Sequence, residues 1–100
     1  MPVMEISIVP IGTSHPSVSD HVADVVRVLR DEPGIAYELC PMGTVVEADS
    51  VDTLFAVARK MHAHALGGDV QRIVTSIKID DRTDKKLSMR GKIAAVHEKL

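Results

Sequence analysis

The stretch Ile35-Ala36-Tyr37-Glu38-Leu39-Cys40-Pro41-Met42-Gly43-Thr44-Val45-Val46-Glu47-Ala48-Asp49 decides the fold. It holds two β-rich runs, 35–40 and 43–49, on either side of Pro41-Met42, and proline presets the backbone for a turn, so the stretch predicts a hairpin of strands two and three. Just upstream, Pro33-Gly34 stops a helix whose apolar residues Val18, Val22, Val25, Val26 and Leu29 recur at helical spacing, with Ser17 as its N-cap. Downstream, Asp49 or Ser50 caps a second helix with Val51, Leu54, Phe55, Ala58, Met61 and Ala65 on one stripe and Gly67-Gly68 as its exit. Further out, residues 3–10 and 71–80 alternate as half-buried strands do. Met4, Ile6 and Ile8 oppose Glu5 and Ser7, while Ile73, Thr75, Ile77 and Ile79 oppose Arg72, Ser76, Lys78 and Asp80. A polar connection, 81–86, leads to a last helix from about Ser88, with Met89, Ile93, Val96 and Leu100 on a narrow apolar stripe.

The order is β-α-β-β-α-β plus a terminal helix, which predicts one α+β domain over 1–100, a ferredoxin-like βαββαβ sandwich with an extra C-terminal helix and strand order 4-1-3-2. Both long helices cover one sheet face and take the Met4/Ile6/Ile8 and Ile73/Ile77/Ile79 rows, with Tyr37 and Leu39 as further core candidates. Alternation puts Glu38 on the other face, whereas Val45-Val46-Glu47 leaves the face of Glu47 open. That other face carries Ser7, Val9, Val74 and Ser76 and is half apolar, so a second subunit or a neighbour's last helix is expected to cover it. A solvated face is the alternative.

Composition narrows the function classes. One hundred residues, 45% hydrophobic and 26% charged, describe an ordinary compact domain. Tyr37 and Phe55 are the sole aromatics and the net charge is −2, so neither a base-stacking platform nor a basic footprint for nucleic acid exists. The single Cys40 fits a reducing compartment. The start of the chain has no basic segment before its apolar residues, and no apolar run nears the roughly 18 residues of a membrane span, so a cytoplasmic protein without membrane contact is expected.

The predicted topology brings three segments to one end of the sheet: Pro10-Ile11-Gly12-Thr13, Pro41-Met42-Gly43-Thr44 and Arg72. Gly12 and Gly43 allow close approach, Thr13 and Thr44 supply hydroxyls, and Arg72 with the nearby helix start favours negative charge. A small polar or phosphorylated ligand suits such a place; equally, Gly-Thr pairs are ordinary turn residues. Glu38 and Glu47 could meet a cationic heterocycle or an exocyclic amine, or form ion pairs with Arg72 or Lys78. His62 and His64 are two apart on a helix and point about 200° apart, and His15 and His21 lack further ligands, so no metal site is expected. Cys40 has no local base, Asp80 to Lys86 lacks the spacing of a calcium loop, and no catalytic arrangement stands out.

Three segments carry a resemblance: Ile8-Val9-Pro10-Ile11-Gly12-Thr13, Tyr37 through Glu47, and Arg72 through Arg82. In order and spacing, with Met61-His62 and the Lys92 to Leu100 ending, they resemble the thiamine-binding-protein family. The resemblance implies homodimers pairing as homotetramers and binding of thiamine or its hydroxymethylpyrimidine half; a non-catalytic binding module without a cofactor is expected. On this expectation Glu47 or Glu38 meets the amine or the cation, Ser7 and Thr44 bond the pyrimidine edge, and Met42 gives apolar contact. Thr13 and Arg72 complete the candidate site. Scarce aromatics predict modest affinity. The alternatives are a regulatory oligomer of the ACT type with another metabolite, or a small enzyme.

Overall fold

A computed structural model describes residues Met1–Leu100. Seven elements follow in order: β1 (Val3–Pro10), α1 (Ser19–Arg30), β2 (Ile35–Cys40), β3 (Gly43–Ala48), α2 (Val51–Ala65), β4 (Ile73–Asp80) and α3 (Met89–His97). The strands form one antiparallel sheet in the order β2-β3-β1-β4, the expected topology. Register pairs Met4 with both Val46 and Ile79, and Ile6 with both Thr44 and Ile77, so one face gathers the apolar rows. Against it lie Val25 and Leu29 of α1 and Leu54, Val57, Ala58 and Met61 of α2.

Helix starts differ in how they are fixed. The Ser50 hydroxyl accepts from the Thr53 N–H at 3.2 Å and so satisfies one of the donors a helix start leaves free. At α1 the expected cap, Ser17, is not used: Val18 holds the cap position without a side-chain bond, and the Ser17 hydroxyl lies 3.4 Å from that of Ser19. Val18 is half-buried and contributes to a cavity wall described below, which places the helix start one residue beyond Ser17.

Four core expectations are corrected. Ile77 pairs with Ile6 on the helix-covered face yet is 43% exposed, because β4 is the other edge strand of the sheet. Phe55 is exposed, because the buried stripe of α2 runs through 54, 57, 58 and 61 and Phe55 stands one residue, about 100°, off it. Tyr37 and Leu39 pair with Val46 and Thr44 and therefore share the helix-covered face, yet both are exposed. They sit on the edge strand β2, beyond the cover that α2 gives to β1, β3 and β4.

The opposite face settles Glu47. It pairs with Val3 and Ala36, which puts it with Glu38 on that side. There its carboxylate accepts from the Met89 N–H at 2.8 Å and caps α3, while the Ser88 hydroxyl accepts from the Gly91 N–H at 2.9 Å. Lys92 pairs with Asp80 nearby. The chain's own last helix thus lies over one end of the face expected to await a neighbour. The other end, with Val9 and Val74 at 45% and 47% exposure, is bare.

Candidate functional site

Helix α1 packs chiefly against α2 rather than on the sheet, so its first half stands off from the β2–β3 hairpin. The space between is a cavity of about 270 Å³. Val22, Val25 and Val26 form one wall, Leu39 and the turn Cys40 to Gly43 another, and Ile6 to Val9 of β1 the base. Eleven of its fifteen lining residues are hydrophobic, and none is a carboxylate, imidazole, ammonium or guanidinium.

Two polar features face this apolar space. Thr44 is the one buried polar residue, 4% exposed, and lines it. No side-chain polar atom of the chain is sealed off without a partner, and the Thr44 hydroxyl has no protein partner, so it keeps an edge open to the cavity. The second feature is backbone. β1 outruns β3: their pairing ends at Ile6 and Thr44, while β1 and β4 stay paired to Pro10 and Ile73. Amide groups alternate in direction along a strand. The Ile11 N–H donates to the Arg72 carbonyl on the β4 side at 2.8 Å, and the Pro2 carbonyl accepts from the Ala48 N–H on the β3 side. Odd residues of β1 therefore face β4 and even ones β3, which turns the N–H and C=O of Ile8 toward the side where β3 has ended. No backbone bond joins Ile8 to the turn at Pro41-Met42. Pro10, next in that row, has no N–H to leave unpaired. Gly43 keeps the closure tight, since a Cβ there would stand 3.2 Å from the Ile6 carbonyl oxygen.

Ser7, Met42 and Thr44 of the expected site thus meet around one cavity, although alternation sends the Ser7 side chain to the open face and leaves its backbone to the cavity. Glu38 and Glu47 lie together elsewhere, in an open depression under α3 with Ala36, Ser88 and His97. Thr13 and Arg72 line neither. The Thr13 hydroxyl donates to the His15 carbonyl at 2.8 Å and serves its own loop, and Arg72 is exposed at the start of β4. The helical histidines are engaged separately: His62 Nδ1 is 2.7 Å from the Thr75 hydroxyl, and His64 Nε2 is 3.2 Å from Asp24. No group of three His, Cys, Asp or Glu side chains is placed to hold a metal ion. No helix is long and apolar enough to cross a membrane. Sequence reasoning missed the valine wall and Ile8; the signal was Pro10, whose place in a strand marks an edge without a partner.

Fold and cavity define a ferredoxin-like protein with an apolar pocket at the open edge of its first strand. The chain belongs to the thiamine-binding protein family, which it matches over residues 4–97. It is 42% identical to the UPF0045 protein YqgV of Bacillus subtilis, covering 100% of this chain and 98% of that one. The solved structure of hypothetical protein MJ1052 from Methanocaldococcus jannaschii superposes with a TM-score of 0.86 at 36% identity, covering 97% of this chain and 96% of the other. A candidate thiamine biosynthesis/salvage protein from Thermotoga maritima shares the fold, with a TM-score of 0.79 at 16% identity over 95% of this chain and 97% of its own.

Proposed function

We propose that the protein is a non-catalytic binding module for the aminopyrimidine half of thiamine, acting as an oligomeric carrier or sensor. The observation that carries this is the pairing of an apolar slot with one buried hydroxyl and one free strand-edge amide. An aminopyrimidine offers ring nitrogens as acceptors and an amine as donor on one edge, with an apolar ring and methyl group behind. Ile8 and Thr44 supply matching donors and acceptors, and Val22, Val26 and Leu39 supply the apolar contact. Family membership supports the ligand class.

The cationic thiazolium fits less well. With Glu38 and Glu47 under α3 and no acid in the cavity wall, a permanent cation placed inside would be desolvated without a counter-charge. It stays at the mouth, beside Met42. Isothermal titration with hydroxymethylpyrimidine and with thiamine tests this: both bind at one site per chain, and Thr44→Val weakens both by about tenfold, the effect of one buried hydrogen bond. Absence of heat with either compound, or equal affinity in Thr44→Val, overturns the assignment.

Self-association belongs to the same proposal. Two exposed apolar patches support it, the bare end of the sheet with Val9 and Val74 and the α3 side chains Ile93 and Val96, neither of which this chain covers.

A further inference from the structure

Beyond the cavity, the space between α1 and β2 continues as an open groove. Val18, Val22, Val26, Leu39, Cys40 and Pro41 line both, so the two are one continuous surface. The groove ends on Arg27 and Arg30 and contains no acidic side chain. Val22, Val26 and Arg30 are spaced by four and share one face of α1, so the Arg30 backbone lies about 6 Å along the axis from Val26. The two arginines differ. Arg27 is paired with Asp24 at 3.0 Å, whereas Arg30 is exposed and enters none of the chain's ion pairs. As the last residue of α1, its guanidinium sits at the helix end whose carbonyls favour a cation, and those carbonyls offset part of its charge.

Resting on the pyrimidine assignment above, we propose that the site prefers a phosphate-bearing form of its ligand, with the pyrimidine in the cavity and a phosphate monoester on Arg30. The groove gives the ligand's arm a path with a cation at its end, and guanidinium meets phosphate through paired N–H donors. Two sources share this chemistry: the phosphate ester of hydroxymethylpyrimidine, with a short arm, and thiamine monophosphate, with a long one. Arm length decides which of them reaches Arg30.

Titration of the whole protein with hydroxymethylpyrimidine, its monophosphate, thiamine and thiamine monophosphate tests the proposal. At least one phosphorylated compound is expected to bind roughly threefold to tenfold more tightly than its free form, a modest gain because Arg30 is solvated. The gain shrinks toward unity at about 1 M salt. Arg30→Gln, a surface change at a helix end, abolishes the gain and leaves affinity for the free compounds unchanged. Equal affinity for each free and phosphorylated pair, or a preference that survives in Arg30→Gln, overturns the phosphate assignment alone. No binding by any of the four overturns the cavity assignment and this one with it.

Discussion

At the residue scale, the chain's one ion pair with displaced titration lies away from the cavity. Arg82 Nε donates to Asp84 Oδ1 at 2.7 Å, and this hydrogen bond holds the Asp84 carboxyl below its ordinary range. A carboxyl depressed in the folded state adds stability above its unfolded pKa and loses it as pH falls through the folded one. Asp84→Asn is therefore expected to melt slightly below the parent at neutral pH, with the gap closing on acidification below the carboxylate range; thermal unfolding at several pH values measures it. The solvent-exposed setting of the pair keeps the gap small. Individual site residues were unevenly legible. Thr44 and Met42 could be read because a Gly-Thr step beside a turn marks backbone that approaches closely. Glu47 could not, since its partner Met89 lies 42 positions away and no local pattern encodes that bond. Thr13 looked available because sequence does not reveal that its own loop uses the hydroxyl.

At the scale of elements, periodicity identified five and the β-rich runs around Pro41-Met42 the other two, and the departures came from how elements lean on one another. Phe55 fits a broad helical stripe, but α2 buries a narrower one. Tyr37 and Leu39 alternate onto the correct face and remain exposed because neither helix reaches the edge strand, a matter of sheet width against helix diameter. The cavity has the same origin: α1 leans on α2, and β1 is two residues longer than β3. Such offsets are properties of pairs of elements and leave little trace in either one. The cap of α2 is the local device with the clearest cost. Ser50→Ala is expected to lower stability by about 1 kcal/mol in denaturant unfolding, since the Thr53 N–H loses its acceptor; an unchanged midpoint would show that another group satisfies it.

At the scale of the molecule, surface is the telling quantity. The chain exposes 7102 Å², whereas a monomer of this mass exposes about 5,500 Å². The excess of about 1,600 Å² is roughly twice the ~800 Å² that one partner buries in a standard protein interface. Its radius of gyration, 14.7 Å, likewise exceeds the roughly 13 Å of a compact 100-residue domain. Both reflect an extended shape, with α3 lying across the sheet and none of its residues buried. Val74→Asp puts a charge on the bare end of the sheet and is expected to lower the mass measured by light scattering while leaving the far-ultraviolet circular dichroism intact. An unchanged mass would move the interface elsewhere.

The bond between Glu47 and the start of α3 carries one more consequence. Side chains of a strand change faces with every single-residue shift, so a slip of β3 against β1 would turn Glu47 inward and leave the Met89 N–H without its acceptor. Docking of the last helix therefore acts as a proofreading step on strand alignment: only the correctly threaded hairpin earns its closing clasp.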